Sequence, residues 1–383
     1  KPELPVLKVN NLDKAIIDIG RYARSQIKGK VIGVTGSSGK TTTVAMLNQV
    51  LKPYGPTAQT AHNANLPRGI AWNLASTPWD SDFVILEMAI GGMIQNAEMV
   101  RPDIAVFTNV APAHLQYHSN TEEIAYKKSQ IFSYMESGSH AIINRDMQEW
   151  DIVEQAAQQK ALNIITFGQH TDSHIRLIDM DAESGEVTAD LFGERVSFII
   201  TTPGIHMALN ALTCLAITHA LQLEHTPARA MLSLFKAVSG RGDLQDTVIN
   251  HCPVQVINDA YNANPASMKA ALQAFRAQKS LGRKILVLGD MLELAHSSEG
   301  YHQALVGDIE SSHADHIFLM GEEMTKITPA LKEKGISCSA HTDLAELTLS
   351  IENQTQNNDL ILFKSSNGIG LQRVIKKLTQ SDC

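Results

Sequence analysis

A glycine-rich turn running into Lys and Thr, Gly36-Ser37-Ser38-Gly39-Lys40-Thr41-Thr42, carries the plainest chemistry in this 383-residue chain. The backbone N–H groups of such a turn can surround phosphate oxygens, and a helix that starts there adds partial positive charge. Lys40 is placed to reach the outer phosphates of a nucleotide, and the Thr41 hydroxyl to ligate Mg²⁺. The strict Walker spacing would put its first glycine at position 34, where Val34 stands, so the chain carries the shorter form Gly36-x-x-Gly39-Lys40-Thr41. An ordinary Gly/Ser turn is the bland alternative. The spacing predicts ATP or GTP at this loop.

Other residues could share the work. Glu87 lies near the end of the apolar run Phe83–Met88. An acid there points to the ligand-binding edge of a parallel sheet, where it would hold Mg²⁺ or serve in a helix cap or salt bridge. His114 falls just past the next apolar run, Ile104–Asn109, on the same edge. Lys127 and Lys128 precede Ile131-Phe132 on a predicted helix, where composition favours two solvated side chains. Farther on, Asn258-Asp259-Ala260-Tyr261-Asn262-Ala263-Asn264-Pro265 ends a strand and starts a helix. Asp259, Asn262 and Asn264 could read a ribose, an adenine edge or a peptide, or could cap the helix. Gly289–Leu294 and Lys364–Gly368 also follow predicted strands.

The elements that must position these groups read as α/β. Lys30–Thr35 is a buried strand and Thr41–Leu51 a helix, with a lead helix over Asn11–Gln26. Strand-like runs recur at Phe83–Met88, Ile104–Thr108, Ala141–Asn144 and Ile164–Phe167, which implies a mostly parallel sheet with helices on its faces. Glu186–Leu191 and Arg195–Ile200 suggest an appended β-hairpin. Helices follow at Gly204–Leu221 and Ala228–Lys236. Ser239-Gly240-Arg241-Gly242-Asp243 breaks the pattern and divides residues 1–240 from 241–383. Beyond it, strands at Val254–Asp259, Lys284–Leu288, His316–Met320 and Leu360–Phe363 alternate with helices at Pro265–Gln278, Ser298–Glu310, Asp343–Glu352 and Gly368–Lys377. This is a second, smaller unit of doubly wound type.

Composition narrows the partners. The net charge of −8 comes without a dense Lys/Arg run, which gives no support to nucleic-acid binding. Cys214, Cys252, Cys338 and Cys383 are scattered, against a zinc site or disulfide scaffold and in keeping with a reducing cytoplasm. No apolar run reaches bilayer length, so no membrane partner is expected.

As an ordered set, these stretches resemble the Mur ligase family, the ATP-dependent amide-forming enzymes of peptidoglycan precursor synthesis. The resemblance runs from about Asp13 to the C-terminus. It rests on Thr35–Thr42, Glu87-Met88, Asn109 with His114, Lys128 before Ile131-Phe132, and Asn144-Arg145-Asp146. It continues through His206 with Asn210, Gly240-Arg241, Asp259–Pro265, Leu288–Leu294 and His302. The branch it resembles most joins D-alanyl-D-alanine to a UDP-N-acetylmuramoyl tripeptide. The resemblance implies that Gly36 to Thr42 hold ATP and that Thr41 and Glu87 hold one Mg²⁺. It further implies that His114 ligates a second Mg²⁺, and that CO₂ converts Lys128 to a carbamate that helps position that metal. Asn210 and Asp259 would contact adenine and ribose, and Arg241 would approach the phosphates as the C-terminal domain closes on a hinge at Gly240–Gly242. Asn65, Tyr261, Asn262, Asn264 and Lys364 would contact the substrates, a small carboxylate and an amine.

Three departures bear on the substrates. The family carries a further N-terminal domain for the UDP-sugar, whereas only Lys1–Lys30 precede the loop strand. Either that domain lies outside this chain or the substrate lacks a nucleotide handle. Lys364-Ser365-Ser366-Asn367 stands where the family usually has Lys-Gly-Ser-Arg, which removes a bidentate guanidinium. The family's His-Asn pair reads His206-Met207, with Asn210 kept. The expectation is an ATP-dependent amide ligase working through an acyl phosphate. Alternatives are a relative with a different carboxylate and amine pair, a kinase, and a non-catalytic ATP-binding domain of a larger protein.

Overall fold

The structure is a computed structural model that describes residues 8–61, 63–112, 116 and 118–379. His114 lies outside the described residues. The chain forms two compact units, one from Lys1–Asn109, Ile124–Arg176 and Leu212–Met231, the other from Val110–Glu123, Leu177–Ala211 and Leu232–Cys383.

The first unit opens with α1 (Leu12–Gln26), capped by the Asn11 side chain, then β1 (Lys30–Thr35) and α2 (Lys40–Leu51). After them come β2 (Thr57–Gln59), α3 (Pro67–Ser76), β3 (Phe83–Glu87), α4 (Met93–Val100), β4 (Ile104–Phe107) and α5 (Thr121–Ser129). Then follow β5 (His140–Asn144), α6 (Trp150–Gln159), β6 (Asn163–Gly168) and β7 (Ile175–Met180). The strands pair in parallel in the order β2-β3-β1-β4-β5-β6-β7. From β1 the chain goes out to one side for β2 and β3 and to the other for β4. The end of β1 is therefore a topological switch point, where open α/β sheets bind ligands. Both faces of β1, β3 and β4 are covered, so these strands are continuous apolar runs.

The antiparallel hairpin β8 (Glu186–Leu191) and β9 (Glu194–Ile199) comes next, then α7 (Ile205–Ala220) and α8 (His225–Leu232). The second unit continues with β10 (Asp243–Ile249), β11 (Cys252–Asp259), α9 (Pro265–Ala277), β12 (Lys284–Gly289) and α10 (Ser298–Ser311). It closes with β13 (His316–Met320), α11 (Thr328–Glu333), β14 (Cys338–His341), α12 (Leu344–Gln354), β15 (Leu360–Lys364) and α13 (Leu371–Thr379). Its sheet runs β10-β11-β15-β12-β13-β14, parallel except for β10. Period-two alternation sorts its side chains. Leu286, Leu288, Leu360 and Leu362 join one core with Met268, Leu272 and Leu305, while Ile285, Val287, Ile361 and Phe363 join another with Leu347, Val374 and Ile375. Helices therefore cover both faces, as in a doubly wound fold.

Four strands go beyond the sequence reading, among them β7, which lies between β6 and the hairpin in the sheet. β2 and β14 are short edge strands, and β10 is a mostly exposed edge strand that follows Gly240 and Gly242, both at positive φ. Leu244 and Val248 of β10 face solvent, so no apolar face marks it.

Candidate active site

The phosphate-type loop is built by the end of β1 and the start of α2. Gly36 has φ +146°, and a Cβ there would run into the Thr108 hydroxyl, so only glycine lets the loop lie against the end of β4. Gly39 is the N-cap of α2 in the left-handed region, at φ 80°, and no acid sits in the first turn to cancel the helix's positive end. Asn109 braces the loop. Its Oδ1 accepts from Ser37 N at 3.1 Å and Ser38 N at 2.9 Å, and its Nδ2 donates to Ser38 Oγ at 2.8 Å. Thr108 Oγ1 donates to Ser38 O at 2.7 Å, and Asn144 Nδ2 holds Thr108 O at 2.9 Å.

Around this loop the first unit gathers most of the chemistry that the sequence singled out. Thr41 Oγ1 donates to Glu87 Oε2 at 2.7 Å, and Asn65 Nδ2 donates to Glu87 Oε1 at 2.8 Å. Lys40 Nζ and Lys128 Nζ both donate to Gly36 O, at 2.8 and 2.9 Å. Lys128 is 3% exposed and Lys127 only partly covered, so α5 turns the second lysine inward. Burial pushes the Lys128 ammonium well below its usual range. Lys40 adds repulsion in the same direction, and Glu87 opposes it. The hydroxyl of Thr41 and the carboxylate of Glu87 are hard oxygen donors suited to Mg²⁺, which takes few protein ligands and keeps waters. The donor set fits that ion.

The second unit holds the other group at adjoining strand ends. Lys364, buried at the end of β15, gives its Nζ to Asp259 Oδ2 at 2.6 Å and to Asn262 O at 3.2 Å. Asn264 caps α9 in a capping box with Ser267, accepting from Ser267 N at 2.8 Å. Asn262 Oδ1 accepts from Ala263 N at 2.9 Å. The Arg241 guanidinium stacks over the Tyr261 ring, 4.1 Å from its centroid. Asn210 is buried on α7. Two buried groups hold neighbouring loops. Asp290 accepts from Glu322 N, Glu323 N and Met324 N at 2.7–3.3 Å. His302 Nε2 accepts from Met291 N at 3.0 Å, which leaves its Nδ1 to donate to Ser298 O at 2.7 Å.

A phosphate-loop α/β unit and a doubly wound α/β unit in one chain are the parts of a nucleotide-using enzyme. Residues 34–218 match the Mur ligase middle domain, and residues 240–367 match the Mur ligase, glutamate ligase domain. The chain is 30% identical to the UDP-N-acetylmuramoyl-tripeptide–D-alanyl-D-alanine ligase of Bacillus subtilis (strain 168), covering 98% of this chain and 81% of that protein. It is 27% identical to the Escherichia coli (strain K12) protein of the same name, over 99% of this chain and 83% of that one. A crystal structure of MurF from Acinetobacter baumannii superposes with a TM-score of 0.86 at 25% identity, covering 99% of this chain and 84% of that chain. MurF ligase from Thermotoga maritima in complex with ADP shares the fold, with a TM-score of 0.84 at 22% identity, over 99% of this chain and 86% of that chain. The chain belongs to the Mur ligase family, and it is an ATP-dependent ligase that forms carbon–nitrogen bonds.

Proposed function

We propose that this chain condenses the terminal carboxylate of a UDP-N-acetylmuramoyl tripeptide with the amine of D-alanyl-D-alanine in the cytoplasm, driven by ATP. The observation that carries the reading is the cluster of Lys40, Thr41, Glu87 and Lys128 around the Gly36–Gly39 loop, in a chain 30% identical over nearly its full length to a ligase named for that reaction.

A carboxylate and an amine do not condense at neutral pH, because oxide is a poor leaving group. Transfer of the γ-phosphoryl group to a carboxylate oxygen gives an acyl phosphate and ADP. The amine then attacks the carbonyl carbon, the C–O bond to phosphate breaks, and the amine proton leaves to solvent or a base. Lys40 and the positive end of α2 offset charge as the carboxylate nears the γ-phosphate. Bound Mg²⁺ would supply further charge compensation there, held by Thr41 and Glu87, with His114 assigned to a second ion.

Lys128 fits carbamate formation. Burial lowers the proton affinity of its ammonium, and its amine form would attack CO₂ to form an N–C bond and release one proton. The product would keep one N–H for Gly36 O and set an anion beside the Lys40 ammonium. We assign the nucleoside contacts to Asn210 and Asp259, the phosphate contact of the second unit to Arg241, and substrate contacts to Tyr261, Asn262 and Lys364. A second acceptor class is favoured by one observation: Asn367, exposed after Lys364-Ser365-Ser366, offers an amide where a guanidinium would bind a carboxylate.

The test is ADP release by the purified chain with UDP-N-acetylmuramoyl tripeptide and D-alanyl-D-alanine, against the same tripeptide with mixtures of other amines. ADP and amide formed together with the first pair support the reading. Amide formation only with another amine would move the assignment to the second class.

A further inference from the structure

Sequence reading takes Asn65 as a substrate contact and assigns nothing to Asn73. Their hydrogen bonds give both a different task. Glu87 ends in a carboxylate whose last torsion is broad and nearly two-fold, so its two oxygens must be held separately to fix one orientation. Thr41 holds Oε2 at 2.7 Å, and Asn65 holds Oε1 at 2.8 Å. The Glu87 backbone is fixed by the same connection, since Glu87 N donates to Thr60 Oγ1 at 2.7 Å and Ala89 N donates to Asn65 O at 3.1 Å.

Asn65 lies between β2 and α3, in neither a strand nor a helix. What fixes that connection is Asn73, buried on α3. Its Oδ1 accepts from Ala61 N at 2.8 Å, and its Nδ2 donates to Ala64 O and Gly69 O, both at 2.9 Å. Both donor hydrogens are thus used on the backbone, and the connection is tied to the helix on either side of its middle. At Gly69, a Cβ would come within 2.7 Å of the Ala64 backbone, so the connection packs directly onto the start of α3.

We infer that Asn65 is a positioning residue for the Glu87 carboxylate and that Asn73 acts through it, by bracing the β2–α3 connection. This rests on Glu87 holding Mg²⁺, as assigned above. Groups that orient a metal ligand typically change affinity or activity by 10- to 100-fold when removed.

The test is calorimetric titration of Mn²⁺ into the full chain saturated with ADP, with melting curves for each variant. Asn65→Ala should weaken Mn²⁺ binding by about 10-fold. Asn73→Ala should weaken it in the same direction by less. So should Asn73→Asp, which keeps the acceptor for Ala61 N but loses both donors. In Glu87→Gln, adding Asn65→Ala should cause no further weakening, because the group it orients has changed. Wild-type Mn²⁺ affinity in Asn65→Ala, or equal and additive losses in the two backgrounds, would overturn the inference. So would a wild-type chain that binds no Mn²⁺ with ADP. Failure of the functional reading is distinguishable: Asn65-dependent Mn²⁺ binding without amide formation would overturn that reading and leave this inference standing.

Discussion

Two polar clusters, one in each unit, use their side chains differently. Around the phosphate-type loop, Lys40 and Lys128 share one carbonyl as their acceptor, and Thr41 donates to the Glu87 carboxylate. That arrangement makes poor sense as scaffolding and good sense as a place for a polyanion and a cation. At the strand ends of the second unit, the carboxylate and amine ends are engaged with the protein itself. Asp259 pairs with Lys364, Asn264 caps α9, Asp290 ties down the turn after β13, and His302 holds Met291. The lesson is that a motif dense in polar residues can be a loop-building device as readily as a ligand contact. Hydrogen-bond partners separate the two cases.

Substitutions that remove chemistry from the first cluster should spare stability, whereas those at Asp290 and Asn264, which hold backbone groups, should do the reverse. The largest effect is expected for Lys40→Ala, which should lower the rate of ADP release by roughly 10³-fold, since it removes a preorganised charge from a developing phosphoryl transfer. Its melting curve should match wild type; a large drop would mean that the lysine is structural. Lys128→Ala should lose activity by about 10²-fold, with part of it restored when a small carboxylate such as acetate is added to the assay. Full activity in the bare variant would remove Lys128 from the site.

In the second cluster, Asp290→Ala strands three backbone donors and should cost about 3 kcal/mol in denaturant unfolding. Its Michaelis constant for ATP should change little once assayed well below the transition. Asn264→Ala should cost only about 1 kcal/mol, the usual loss for a cap. If it instead raised the Michaelis constant for the amine many-fold at unchanged stability, Asn264 would join the ligand contacts and the contrast between the clusters would weaken.

Much of this was legible from residues alone. The loop, β1 and α2 follow from an apolar run, a glycine turn and a Lys-Thr start, and the alternation of strands and helices gives both sheets. Lys128 was not legible from composition. It sits beside Lys127 on the polar helix α5, and only packing decides which of the two is buried. β10 carries no apolar stripe because it is an exposed edge paired on one side. Asn73 gave no signal either, because its work is to satisfy backbone groups of a connection whose path the sequence does not fix.

The central claim is that the first unit's cluster activates a carboxylate as its acyl phosphate. The direct measurement uses a UDP-N-acetylmuramoyl tripeptide labelled with ¹⁸O in its terminal carboxylate, with ATP and D-alanyl-D-alanine, and mass analysis of the phosphate released. The account predicts that each phosphate formed with an amide bond carries one ¹⁸O from the carboxylate. Unlabelled phosphate, released with the label wholly retained in the peptide or its product, would contradict it.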